Sequence, residues 1–273
     1  MAPKLGIVAG GGPLPARIIS ACRATGRDYF VLALDGHADR VALDGEPQAW
    51  IRLGEGGKGI DLLHRENVSD LVFAGPVAKP SLRELRPDLR TAKFFARLGQ
   101  AWIGDDSLLS AVVRELEREG FRVVAPESLL ADVLAVEGVY GRVAPDDAAR
   151  RDIARGIEVA REAGRLDIGQ AAIVQQGIVL GVEAAEGTDA LIERCAALHR
   201  PGAGGVLVKV RKPGQERRVD LPAIGPRTAE RAAAAGLRGI AVEAGAALVV
   251  DRDEVVRIAD RTRLFVVGVT VPA

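Results

Sequence analysis

Between Lys209 and Thr228 the chain reads KVRKPGQERRVDLPAIGPRT, which crowds Lys209, Arg211, Lys212, Arg217 and Arg218 around Glu216 and Asp220. Five cations and two carboxylates within twelve residues, followed by Gly225 and a helix start at Pro226, are the ingredients for holding a pyrophosphate together with a divalent cation. A solvated loop of mixed charge has the same composition. Against it, Lys209 and Arg211 alternate along an otherwise apolar strand, and Pro222 and Pro226 fix the chain beyond. Upstream, Asp167-Ile-Gly-Gln170 precedes a hairpin that leads into Glu183-Ala-Ala-Glu-Gly-Thr-Asp189. There Glu186, Gly187, Thr188 and Asp189 open a helix, where they either cap its free amides or present those amides to an anion, with more carboxylate than capping requires. Near the N-terminus, Gly10-Gly11-Gly12 lies between a strand and a helix, a place for a phosphate or for a plain tight turn. The dinucleotide fingerprint G-x-G-x-x-G is absent, because Leu14 and Pro15 stand where the spacing asks for further glycine.

Other chemistries fail on spacing. The three histidines, His37, His64 and His199, have no partners at ligand distance in sequence, so a binuclear metallophosphatase centre is not available. Arg114 to Gly120 resembles a Nudix helix but is one residue short before the glycine, and reads as a solvated face of charge pairs. Asp35 ends a strand where a nicotinamide enzyme keeps its ribose-binding carboxylate, and reads as a strand-end cap. Gly104-Asp105-Asp106-Ser107 precedes a helix, as an N-cap or as a ligand contact. Cys22 and Cys195 build neither a disulfide framework nor a zinc site, which fits a reducing, cytoplasmic setting. The opening MAPKLGIVAGGGPLP lacks a basic n-region and is expected not to be a signal peptide, and no run of ~20 apolar residues offers a membrane span.

These side chains need a scaffold, and 273 residues with 37 basic against 37 acidic side chains suffice for one large domain or two ordinary ones. The charge balance holds in each half, so no basic half is offered to nucleic acid or an anionic membrane. Strands at KLGIVA, YFVLAL, DLVFAG and FRVVAP alternate with helices over Leu14–Cys22, around Leu62-Leu63 and over Leu108–Glu119, the pattern of a parallel sheet with crossover helices. Residues 1–132 therefore read as a Rossmann-like domain and 133–150 as a linker leading into a charged helix from Asp146 to Ala163. Residues 151–273 read as a second, mixed α/β domain. It holds a hairpin around Gln175-Gln176-Gly177, a helix over Thr188–Leu198, the strand GVLVKV, a helix from Pro226, two short strands around Glu243-Ala244-Gly245, and a last helix and strand.

GIVAGGGPLP, the Gly104-Asp105-Asp106 segment, DIGQAAIVQQGIVLGVEAAEGTDALIERC, GVLVKVRKPGQERRVDLPAIGPRT and GIAVEAGAALVVDR stand in the order and spacing of a known family. Over its whole length the chain resembles the UDP-2,3-diacylglucosamine pyrophosphatases of lipid A biosynthesis, in the form that is not a calcineurin-like metallophosphatase. The resemblance implies two linked domains with the lipid product between them. It also implies hydrolysis of UDP-2,3-diacylglucosamine to UMP and 2,3-diacylglucosamine 1-phosphate (lipid X), with magnesium, for which manganese is the expected substitute. It puts the chemistry on Asp220, with Lys209, Lys212 and Arg218 beside it. Gly10, Gly11, Gly12, Asp167, Gln170, Gly187, Thr188, Asp189, Gln215, Gly225 and Thr228 are implied to meet substrate, and Asp220, Glu216 and Glu186 to hold the metal. Two departures matter: Glu216 replaces the family's usual aspartate after KPGQ, and Ala223 replaces a more usual threonine. Transient contact with the inner-membrane surface and a homodimer are both left open. The competing readings are a nucleotide-sugar oxidoreductase or transferase with its cofactor on residues 1–132, and a non-catalytic lipid or nucleotide sensor.

Overall fold

The computed structural model describes residues 2–77, 85–98 and 105–271. The chain divides into two compact units: residues up to Leu130 together with Glu216–Asp220, and Ala131–Gln215 together with the chain from Leu221.

In the first unit, β1 (Leu5–Ala9), β2 (Tyr29–Leu34), β3 (Gln48–Ile51), β4 (Asp70–Ala74) and β5 (Arg122–Val123) form a sheet of order β3-β2-β1-β4-β5, all parallel. The crossovers carry α1 (Leu14–Thr25), α2 (Gly56–Arg65), α3 (Leu89–Leu98) and α4 (Asp105–Arg118). Pro15 sets the first turn of α1, and Gly26 closes it with a left-handed φ of 64°. The expected strands and helices are present; β3 and α3 are additions. β3 escapes sequence reading because its four residues, QAWI, are too short to show a period.

Strand order reverses between β1 and β4, and their C-terminal loops meet there. The amides of Gly10 and Gly11 donate to the carbonyl oxygens of Ala74 (2.8 Å) and Pro76 (2.9 Å). A Cβ on Gly10 would lie 2.6 Å from Pro76 O, and one on Gly75, at φ 90°, 1.9 Å from Gly11 O. Glycine is required here by the close approach of two main chains.

In the second unit, β6 (Gly138–Tyr140), β7 (Ala171–Gln175), β8 (Ile178–Val182), β9 (Val206–Lys209), β11 (Gly239–Glu243) and β13 (Phe265–Val269) form a mixed sheet of order β6-β13-β11-β9-β7-β8. β9, β11 and β13 run parallel, while β6 and β7 lie antiparallel to their neighbours. Helices α5 (Asp147–Arg165), α6 (Gly187–Ala196), α7 (Pro226–Ala234) and α8 (Arg252–Thr262) cover it. Both faces are buried, and the strands alternate accordingly. Ile173, Leu207, Ile240, Val242 and Val266 enter one core, whereas Ala172, Val206, Val208, Ala241 and Phe265 enter the other, under α5.

Residues 133–150, expected as a linker, contribute β6 and the first turn of α5, which Asp146 caps by accepting from the Ala149 amide (2.8 Å). The two short strands around Glu243 do not pair with each other. β11 already has β9 and β13 on its edges, so β12 (Leu248–Val249) pairs instead with β10 (Ala223–Ile224).

The loop contact in the first unit is testable. Gly75→Ala should cost at least ~3 kcal/mol in urea denaturation, because it combines left-handed backbone with a clash against main chain. Gly26→Ala, whose added Cβ would meet nothing within 4 Å, should cost only ~1 kcal/mol. Equal losses would show that the packing of the two loops does not require glycine.

Candidate functional site

The C-terminal end of β9 is where the second unit gathers its buried polar groups. Lys209 is the last residue of β9, opposite Ala171 at the start of β7, and β8 returns to the same end with Glu183 just beyond it. Lys209, Lys212, Gln215 and Glu183 are all buried, at 7%, 7%, 4% and 6% exposure. Burying such groups is costly unless each is paired, and they are paired with one another. The Lys209 ammonium donates to Thr188 Oγ1 (2.7 Å) and to the Ala223 carbonyl (3.2 Å). Thr188 donates its proton to Glu183 Oε1 (2.5 Å), and Glu183 Oε2 accepts from the Gln170 amide (3.1 Å). Gln170 Oε1 accepts from Gln215 Nε2 (3.3 Å), and Gln215 Oε1 accepts from the Lys212 amide (3.1 Å). The Lys212 ammonium reaches Asp167 Oδ1 at 2.6 Å. DIGQ, EGTD and KPGQ, distant in sequence, are one hydrogen-bonded network.

Thus Asp167, Gln170, Thr188, Lys209, Lys212 and Gln215 are brought together in the second unit. Glu183 is the member that residue reading missed. The hairpin register carries the signal: a turn at Gln176-Gly177, where both residues have positive φ, sets Glu183 against Gln170 by simple reflection. A bulge that leaves Leu180 without a partner moves it by one residue, so its amide donates to Ala171 O. Glu243 is a second such residue. It ends β11 and accepts from the Arg211 amide at 2.8 Å.

Other expected members are engaged elsewhere. Asp189 pairs with Arg227 (2.9 Å) and Arg231 (3.6 Å) of α7. Thr228 accepts from the Gly225 amide at the start of α7 (3.4 Å). Gly187 takes a φ of 79° at the start of α6. Gly10 and Gly11 spend their amides on the β4 loop, as described, and Gly12 (φ 75°) follows them. Asp35 pairs with Arg40 on the surface. Gly104 lies outside the described residues, and Asp105 opens α4.

Glu216, Arg218 and Asp220 belong to the first unit. Arg218 grips Glu216 with two bonds of 2.9 Å and reaches Glu117 of α4 at 2.5 Å, so the α4 face read as solvated holds a residue a hundred positions away. Arg218 bound to it, with Arg114 adding its charge, holds the Glu216 carboxyl below its usual range, and the two carboxylates push the Arg218 guanidinium up. Val219 packs against the first unit's core. The amides of Val219 and Asp220 donate to Glu216 O, which puts Asp220 one turn from Glu216. A cavity of about 310 Å³ lies between α3 and α4, lined by Phe94, Arg97, Ala111, Arg114, Glu115 and Arg118.

Of the three residues expected to hold magnesium, Glu216 and Asp220 share this turn. Glu186 is in the second unit, bound to Arg194 (3.0 Å), and its carboxyl is lowered first by its own amide and then by that arginine. Among the described residues no three His, Cys, Asp or Glu side chains stand together as a metal cage. Magnesium seldom uses such a cage: one or two carboxylates, with waters and substrate phosphates completing an octahedron, suffice. Glu216, both of whose carboxylate oxygens accept from Arg218, and Asp220 one turn on would be the two carboxylates of such a site, while Glu186 belongs to the second unit.

Models of the LpxI N-terminal domain and the LpxI C-terminal domain match residues 4–133 and 136–267. The chain belongs to the LpxI family. A relative from Caulobacter vibrioides, UDP-2,3-diacylglucosamine pyrophosphatase LpxI, is 46% identical over 273 residues, covering 97% of each chain. The buried network lies wholly within the match to the LpxI C-terminal domain, and so does the 216–220 segment, although that segment packs with the first unit.

The Asp167–Lys212 pair gives a clean stability test. Asp167 sits at φ 53°, a conformation that asparagine shares, so Asp167→Asn removes charge without straining the backbone. It should cost ~1–2 kcal/mol by urea titration, against less than ~0.5 kcal/mol for Asp189→Asn in an exposed pair. Indistinguishable losses would deny the pair its place in the network.

Proposed function

We propose that this chain hydrolyses the pyrophosphate bond of UDP-2,3-diacylglucosamine, with magnesium, to UMP and lipid X. The observation that carries the reading is the full-length likeness to a pyrophosphatase with that substrate, and the chemistry of the gathered side chains supports it.

A pyrophosphate diester carries two negative charges that repel an approaching water, so the site has to neutralise phosphate oxygens and hold the water in line. Lys209 and Lys212 bring two ammonium groups to one end of the second unit's sheet, each fixed by a partner. Asp220 is the group assigned to the water and the metal, with Glu216 beside it and Arg218 keeping Glu216 ionised and in place. Bound magnesium would supply Lewis acidity and a template for the phosphate oxygens. Water attacks the sugar-side phosphorus, the P–O bond to UMP breaks, and the water's oxygen remains in lipid X.

A substrate with a nucleotide head and two acyl chains places the work at the cytoplasmic surface of the inner membrane. No described helix is long and apolar enough to cross a membrane, so any contact there is peripheral in this reading.

The deciding assay supplies UDP-2,3-diacylglucosamine in ¹⁸O water, with and without magnesium, and resolves products by mass. UMP and ¹⁸O-labelled lipid X are expected, and no cleavage by well-folded protein would overturn the function. Asp220→Ala should lower kcat by far more than tenfold, ~1.4 kcal/mol of barrier, while lipid X still binds. Glu216→Gln should cost less; the reverse order would exchange their roles. Excess EDTA should silence turnover and magnesium or manganese restore it, since the carboxylates assigned here prefer hard ions. Full activity in chelator would remove the metal from the reaction.

A further inference from the structure

The geometry points to Glu183, acting through the Thr188 hydroxyl, as the residue that aims the Lys209 ammonium at substrate phosphate. This rests on the hydrolase reading above.

The direction of each proton follows from the groups themselves. An ammonium can only donate, so Thr188 Oγ1 is the acceptor of the 2.7 Å bond from Lys209. The hydroxyl has one proton, and it goes to Glu183 Oε1 at 2.5 Å. Thr188 thus has no proton left for a ligand, and its place in the site is to connect a buried cation to a buried carboxylate that it does not otherwise touch. Glu183 is held in turn by the Gln170 amide, and Lys209 by the Ala223 carbonyl. Two of the three ammonium protons are therefore directed by fixed acceptors, which sets the direction of the third. A lysine stem has four rotatable bonds, and the ammonium's position decides how well it meets the charge that grows on phosphate oxygen during transfer. The arrangement is costly as mere packing. A buried carboxylate, hydroxyl and ammonium in series stabilise a fold less than apolar residues of the same volume would. It earns its place by orientation.

Glu183 is a positioning residue, and the test separates positioning from folding. Glu183→Gln keeps the acceptor for the Gln170 amide but puts an amide donor or a weaker acceptor against Thr188. Thr188→Val removes the hydroxyl at constant shape, and Thr188→Ser keeps it. With UDP-2,3-diacylglucosamine as substrate, Glu183→Gln and Thr188→Val should each lower kcat by roughly tenfold to a hundredfold and change KM less than about threefold, because neither variant removes the Lys209 ammonium itself. Their combination should be no slower than the slower single variant, since both break one chain. Thr188→Ser should recover most of what Thr188→Val loses. A kcat within about twofold of wild type in folded Glu183→Gln protein, multiplicative losses in the double variant, or Thr188→Ser as slow as Thr188→Val would each overturn the assignment. Should Thr188→Val fail to fold, Glu183→Gln against Thr188→Ser decides alone. Wild-type protein that does not turn over this substrate overturns the hydrolase reading and the positioning role with it; active wild type with unmoved variants overturns the positioning role only.

Discussion

Two lysines at the end of an apolar strand are the constraint around which the second unit is arranged. β9 is buried throughout, and it delivers Lys209 and, three residues on, Lys212 to a place where both are 7% exposed. An ammonium removed from water loses several kcal/mol of hydration unless other groups replace it. The hairpin β7–β8 supplies those groups from both of its ends: Asp167 and Gln170 before it, Glu183 and Thr188 after it. The turn at the far tip is held by Asp152, buried on α5, which accepts from the amides of Gln176 and Gly177. Turn, register and bulge therefore decide where Glu183 stands, and Glu183 decides where the Lys209 ammonium points.

Much of this was legible in the residues because the governing patterns are local. YFVLAL is a strand over its full length, Gly26 stops α1, and Gln176-Gly177 turns the hairpin, each by short-range backbone preference. The lysine-arginine crowd after β9 announced itself by alternating with apolar residues. What stayed hidden depends on partners far off in the chain. No local rule says that the segment from Gly138 joins the edge of the sheet, or that β12 passes over β11 for β10. Likewise Glu183 and Glu186 look equivalent in EAAEGTD, yet one is 6% exposed at the network and the other is held by Arg194. Three residues of spacing, at the end of a strand, separate an inward carboxylate from an outward one.

The triple glycine shows how a correct observation can have two causes. A strand, three glycines and a helix invite a phosphate, but the same residues are what two crossing loops require when their main chains come within hydrogen-bonding distance. The switch point of a parallel sheet produces both demands at once, since it is where loops diverge to leave a crevice and where the neighbouring strand ends meet. The amides of Gly10 and Gly11 answer the second demand, so any ligand at that crevice has to be met by other groups.

The segment 216–220 argues that the two halves of the chain are not independent in construction. It lies inside the stretch matched by the LpxI C-terminal domain, yet Val219 packs against the first unit's core and Arg218 ties Glu216 to Glu117 of α4. Within five residues of it stand Lys212 and Gln215, which belong to the buried network of the other unit. A chain cut at the family boundary would leave Val219 uncovered and Arg218 without Glu117, while the lysines kept their partners. Glu216 and Asp220 therefore fold with one core and Lys209 and Lys212 with the other, although only a few residues of chain separate them. Substitutions in α4 that disturb Glu117 act on Glu216 through Arg218, at a position that the residues of α4 alone mark only as a charged helix face.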